Sequence, residues 1–169
     1  MSPVSATIVL REARPDVEPG LGALRGYLHD VIGRMHGRPA TEDEVEAFGV
    51  ESPDDGLVPP DGTFVVAVED GGAAVGCVGL RWRGPGVPPD AAEIKRMWSA
   101  HEVRGLGVGK LLLDEVVRLA REAGCARLVL DSRADLIEAR TLYERAGFVE
   151  VEPYNDNPHA QVWYALDLL

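Results

Sequence analysis

Cysteine is scarce in this chain: there are two, Cys77 and Cys125, in 169 residues. They stand far apart and neither belongs to a CxxC pair. The histidines at 29, 36, 101 and 159 show no ligand spacing with them. A disulfide framework and a structural zinc site are therefore not expected, and no metal is called for. Basic residues are also short, with 17 Lys and Arg against 28 Asp and Glu, a net charge of −11. Such a chain lacks the positive field that a nucleic-acid binder uses to displace counterions, or that docking on anionic lipid needs. No apolar run approaches the roughly 20 residues that span a bilayer. Met1–Thr7 has neither a basic nor an apolar leader region, so no signal peptide is expected. Together these absences predict a cytoplasmic protein with reduced thiols.

What is present is the balance of a globular chain, 46% hydrophobic and 27% charged. The length predicts one domain over residues 1–169. Thr7 to Arg11 reads as a first strand. Leu21, Leu24, Leu28, Val31, Ile32 and Met35 recur at spacings of three and four, which predicts an amphipathic helix over 20–36. Thr41 and Glu44 form a capping box opening a short acidic helix that closes near Gly49, followed by a loop from Glu51 to Gly62. Thr63 to Glu69 and Ala74 to Arg83 flank Asp70-Gly71-Gly72 and predict a hairpin. After a proline-rich loop, Ala91 to Ser99 is a strand. A helix opens at Leu106 or Gly107 and runs to about Ala123, and Ala126 to Asp131 is a strand with an apolar centre. That strand–helix–strand unit requires a parallel pair. Asp135 and Glu138 are expected to cap a last helix ending at Gly147, before closing strands at 148–151 and 162–168.

The informative stretch is Arg104-Gly105-Leu106-Gly107-Val108-Gly109-Lys110, between a strand and a helix. Glycine lets backbone approach a ligand, and the first N–H groups of a helix lack internal partners at its positive end. Together they suit a phosphate or diphosphate. A P-loop would need Gly where Arg104 stands and Ser or Thr where Leu111 stands. The GxGxG spacing also departs from the GxGxxG of dinucleotide folds, which disfavours a nicotinamide-dependent oxidoreductase. A plain tight turn is the remaining structural reading.

The R-x-x-G-x-G pattern of Arg104, Gly107 and Gly109 resembles the diphosphate motif of the GNAT superfamily of acyl-CoA N-acyltransferases. Three blocks carry the likeness in order: 92–99, 103–112 and 139–148. The resemblance implies an α/β (α+β) fold with a mixed, mostly antiparallel central sheet flanked by helices. It implies N-acetyltransferase activity, with acetyl-CoA as cosubstrate and a small-molecule or peptide amine as acceptor. Met97, Trp98 and Ser99 would pair with pantetheine, and Arg104, Gly105, Leu106, Gly107, Val108, Gly109 and Lys110 would cradle the diphosphate. Tyr143 would protonate the departing thiolate. Glu93 would serve as general base, directly or through water.

One departure is Leu136, where many members carry an Asn that touches the cofactor. The segment Pro153-Tyr154-Asn155-Asp156-Asn157-Pro158 resembles a stretch found in a subset of uncharacterised members and names no substrate. Tyr143 lies on an apolar helix face, where a tyrosine also serves as plain core, and a strand glutamate such as Glu93 is also commonly just solvated. The acids between 42 and 61 read either as a solvated face or as a field drawing a cationic acceptor. Both cysteines read as core residues, which favours direct attack of the amine over an acyl-cysteine route. A non-catalytic acyl-CoA sensor is the alternative function. The sequence is compatible with a homodimer without fixing the oligomeric state.

Overall fold

The computed structural model describes residues 7–169. The expectation about a leader peptide rests almost wholly on Met1–Ala6, outside the described residues. The elements are β1 (Val9–Ala13), α1 (Gly20–His36), α2 (Glu42–Glu51), β2 (Gly62–Val68), β3 (Ala74–Arg81), β4 (Ala91–Ser99), α3 (Val108–Glu122), β5 (Arg127–Ser132), α4 (Ile137–Arg145), β6 (Val149–Val151) and β7 (Val162–Asp167). They build a seven-stranded sheet in the order β1-β2-β3-β4-β5-β7-β6. Every pairing is antiparallel except β4 with β5, which α3 connects. The mixed, mostly antiparallel sheet expected from the sequence is the one observed.

The sheet divides the core in two. Phe64, Val66, Val68 and Cys77 pack with Ala23, Leu24, Leu28 and Ile32 of α1 and with Val45 of α2. Val65, Ala67, Val78, Leu80, Ala92 and Ile94 face Val108, Leu112, Leu113, Val116 and Ala120 of α3. A strand covered on both faces is apolar throughout, which is why β2 runs hydrophobic without a break from Phe64 to Val68. Burial of each such side chain contributes about 1.5–3 kcal/mol.

Three local expectations change. The first strand lies two residues later than expected, because its ladder runs from Val9↔Val68 to Ala13↔Phe64. Asp135 does not cap α4: its carboxylate accepts from Arg133, and Leu136 stands at the N-cap without a side-chain bond. The loop after α2 contains a single helical turn at Asp55–Leu57, which sinks Leu57 into the α1 core.

The most consequential irregularity lies in β4. Cys77 opposes Trp98 and Gly79 opposes Lys95, so Arg96 and Met97 together face Val78. Arg96 occupies the left-handed region at φ 56°, which costs a non-glycine residue about 1–2 kcal/mol. The extra residue inverts the alternation. Met97 therefore does not share a face with Glu93 and Lys95; it turns to α3, where a Cβ on Gly109 would lie 3.8 Å from its Cε. Trp98 turns instead to α1, and the absence of a side chain at Gly26 leaves room for its ring. The bulge also parts β4 from β5, whose pairing covers only Ala91–Glu93 against Arg127–Val129.

Candidate active site

Beyond Glu93 the two strands diverge, and the gap is occupied by cavities rather than by a ladder. The largest is a groove of about 710 Å³ on the α3 and α4 side. Its wall contains Met97, Trp98 and Ser99 at the end of β4, then Arg104, Gly105, Gly107, Val108, Gly109 and Lys110. Leu106 is absent from this wall and is 72% exposed. The remaining residues expected to cradle the cofactor are thus brought to one groove.

Gly107 is the N-cap of α3 at φ 85° and supplies no side-chain cap. Gly105 also lies at positive φ, 83°. These two conformations are the local reason for glycine here, and they aim the free N–H groups of the first helical turn into the groove. Arg104 behaves as a clamp. Its Nε donates to Ser99 O at 3.3 Å, and its guanidinium pairs with Asp30 of α1 at 2.8 Å and Glu138 of α4 at 3.9 Å. Arg34 ties the same two carboxylates. Burial acts to raise the Glu138 carboxyl, but the hydrogen bond from Arg34 and the charges of Arg34 and Arg104 outweigh it, and it lies below its ordinary value. Lys110 is 72% exposed and paired with Asp114 at 2.7 Å. Leu136 offers an apolar surface to the same groove.

A cavity of about 580 Å³ opens on the α2 side, between the loop after α2, Arg81, Lys95 and Arg96, and the segment Pro153–Asn157. Between it and the groove lies a small cavity of about 80 Å³. The small cavity shares Met97, Leu136 and Ala139 with the groove, and Ser52, Lys95, Arg96 and Asn157 with the larger chamber. Tyr143 lines this junction. Its ring packs on Phe148 and Tyr164 at centroid distances of 5.7 and 6.0 Å. Burial, with the nearby Tyr27, Asp131 and Tyr164, pushes its hydroxyl well above the ordinary tyrosine value, so it stays protonated.

Glu93 stands differently from the expectation of a solvated strand carboxylate. It is 0% exposed and lines none of these three cavities. One oxygen accepts from Arg81 Nε and the other from Tyr154 Oη at 2.7 Å. The physical reason is cover: β4 is central, and the loops at 84–90 and 153–158 meet over this strand end. A Cβ on Gly86 would come within 1.7 Å of Tyr154 O.

Sequence reasoning passed over the residues that tie this side together. Asp131 accepts from Asn155 Nδ2 at 2.7 Å and Asn157 Nδ2 at 3.2 Å, while Trp163 Nε1 donates to Asn155 Oδ1 at 2.9 Å. Arg96 donates to Asp54 Oδ1 at 2.6 Å and Ser52 O at 2.7 Å, and its guanidinium lies over the rings of Tyr27 and Phe48. His159 stacks on Phe48 at 5.3 Å and lines the junction. The density of Asn, Asp and Pro in 153–158 was the available signal. Among the acids of 42–61, Glu42 pairs with Arg25 and His29, Glu44 with Arg38 and His36, and Asp54 with Arg96. These are three of the eight acids in that segment, so its negative field is compensated only in part. Cys77 is buried and its thiol is pushed far up by burial; Cys125 is half-buried and its thiol is also raised.

Comparison with known proteins agrees with this architecture. A family model described as "Acetyltransferase (GNAT) family" matches residues 28–148, and the chain belongs to that family. It is 38% identical over 106 residues to an uncharacterised N-acetyltransferase of Schizosaccharomyces pombe, covering 63% of each chain. The matched part spans less than two thirds of the length of this and the other curated relatives. A GNAT acetyltransferase of Staphylococcus aureus Mu50 superposes with TM-score 0.76 at 20% identity, covering 96% of this chain and 100% of that one. The PaiA N-acetyltransferase of Thermoplasma acidophilum, solved with coenzyme A, superposes with TM-score 0.72 at 16% identity over 95% and 99%. These two likenesses concern the fold. No helix among the described residues is long and apolar enough to cross a membrane.

Proposed function

We propose that the protein transfers an acetyl group from acetyl-CoA to a primary amine of a small molecule or peptide, by direct attack of the amine on the thioester. One observation carries this reading. The gap between β4 and β5 joins a groove headed by helix N–H groups to a chamber on the other side, with Tyr143 at the junction. Acetyl-CoA would supply the activated acyl thioester. The residues present fit it: the start of α3 offers N–H groups for a diphosphate, and Met97–Ser99 offer a backbone edge that β5 does not use. Tyr143 holds a proton at the junction and gives it to the departing thiolate. An amine at neutral pH is mostly ammonium and must lose a proton before it attacks. Glu93 is buried between Arg81 and Tyr154 and lines none of the three cavities, so its part in that loss runs through the Tyr154 hydroxyl, which it accepts from and which lines the chamber, rather than by touching the amine. Both cysteines stay outside the chemistry, because raised thiol pKa values leave little thiolate.

The test is a thermal shift with acetyl-CoA against NAD, followed by thiol release on a panel of amines. A shift with acetyl-CoA alone and release that depends on an amine are expected. No shift and no release would overturn the reading, whereas a shift without release for any amine would identify a sensor.

A further inference from the structure

We infer that the acceptor carries a carboxylate beside its amine, an amino acid or a peptide with a free carboxylate, and that Lys95 with Arg81 receives it. This rests on the acetyl-transfer reading and goes beyond it.

Charge in and around the 580 Å³ chamber is unevenly engaged. Asp54 in its wall, Asp131 at the junction and the buried Glu93 behind them are all bonded. Asp54 accepts from Arg96, Glu93 from Arg81 and Tyr154, and both oxygens of Asp131 accept side-chain amides. Asp156 stands on the exposed rim. The cations are less engaged. Lys95 lines both the chamber and the junction and is 17% exposed. Its nearest carboxylate oxygen among the described residues is Asp131 Oδ1 at 3.5 Å, which already accepts from Asn157. An ammonium has three donors, and this geometry leaves most of them for something in the cavity. Arg81 contacts Glu93 through Nε, leaving the terminal nitrogens of a guanidinium that lines the same chamber. The register Gly79↔Lys95 and Arg81↔Glu93 sets these two cations on one face as diagonal neighbours. Arg96, by contrast, is consumed by its bonds and two aromatic rings. A half-buried pair of cations with spare donors is costly to leave facing apolar ligand surface, and a carboxylate satisfies both. Lys95 reaches the junction where the amine must sit, so the amine and the carboxylate belong to one small molecule or one chain end.

The experiment compares amino acids with their carboxamides and their decarboxylated amines, using the full chain saturated with acetyl-CoA. Rates are normalised to free amine. The acids should show kcat/KM at least tenfold higher, about 1.4 kcal/mol. Lys95→Met should bring the difference within about threefold while the acetyl-CoA thermal shift is unchanged, and Lys95→Arg should keep the preference. Amines acetylated without regard to the carboxylate would overturn the inference and leave acetyl transfer standing. A preference that survives in Lys95→Met would overturn the assignment to Lys95. Failure to bind acetyl-CoA or to acetylate any amine would overturn the underlying reading and this one with it.

Discussion

The two sides of the gap between β4 and β5 are made of different material. The groove beside α3 is built from backbone: glycines at positive φ, the N–H groups of a helix start and the unpaired edge of a bulged strand. The chamber beside α2 is built from side chains in ion pairs and amide hydrogen bonds, drawn from β3, β4 and the loops after α2 and β6, with Asp131 of β5 behind them. A backbone site accepts one constant chemical group and tolerates change in the side chains around it. A side-chain site is as specific as its charges, and a single substitution redefines it. Tyr143 sits where the two meet, and breaking that junction should have the largest effect.

Tyr143→Phe keeps the ring on Phe148 and Tyr164 and removes only the proton donor. Turnover is expected to fall by about 10²–10⁴, the range for losing a general acid. The lower end is favoured because a thiolate is already a tolerable leaving group. Tm and acetyl-CoA affinity should hardly move. Because burial raises this hydroxyl, the wild-type rate should show no descending limb near the ordinary tyrosine value of about 10. A limb there that vanishes in Tyr143→Phe would mean the hydroxyl is solvated. Full turnover in the folded variant, with chemistry rate-limiting, would remove Tyr143 from the mechanism.

The backbone character of the groove is tested by setting Gly107→Val against Lys110→Ala. Valine at φ 85° strains the helix start and fills the approach to its N–H groups, so acetyl-CoA affinity should fall at least about tenfold. Lys110 is exposed and bonded to Asp114, and its loss should change affinity less than about threefold. Equal effects from the two, read by calorimetry, would erase the distinction between the sides.

This contrast also explains what was legible in the sequence. Glycines between a strand and a helix are a local signal, since positive φ and close backbone approach leave one residue type. The groove was therefore readable from 104–110, and so was α3, whose start and stop are both marked by glycine. The burial of Glu93, read as a general base or a solvated carboxylate, was not legible, because it depends on loops at 84–90 and 153–158 that no local pattern joins to a central strand. The bulge at Arg96 was invisible for a related reason. Its left-handed backbone is held by Ser52 and Asp54, more than 40 residues away in sequence, and it alone turns Met97 away from the face that strict strand alternation from Glu93 and Lys95 would give it. Asp135 looked like a cap until Arg133 competed for its carboxylate.

The side-chain chamber has its own intermediate test. Tyr154→Phe removes one of the two bonds to the buried Glu93 carboxylate. Hydrogen bonds to charged groups contribute about 1.5–3 kcal/mol, so stability should fall by up to that amount. The amine KM should rise several-fold, while acetyl-CoA binding stays the same. Loss of cofactor affinity instead would mean the two sides are mechanically one.

The smallest effect is expected at the far edge of the chamber, in α2. Its first turn is closed by a capping box: Thr41 Oγ1 accepts from Glu44 N at 3.2 Å, and Glu44 Oε1 accepts from Thr41 N at 3.0 Å. The hydrogen bond from Arg38, and then the one from the Thr41 backbone, bring Glu44 down from 4.5 to about 2. The sign follows from the depressed value. The carboxylate's contribution is fully present above the unfolded value near 4.5 and is lost as pH falls toward 2. Thr41→Ala should cost the helix about 0.5–2 kcal/mol. Amide exchange confined to α2 should therefore quicken in Thr41→Ala at neutral pH. In the wild type, α2 should lose protection on acidification below about pH 4.5, earlier than the sheet core does. The other end of α2 is fastened separately, through Ser52 and Asp54 to Arg96, so the chamber wall should hold and the amine KM should change less than about twofold. A large KM change in Thr41→Ala would show that the cap, and not Arg96, sets the position of that wall.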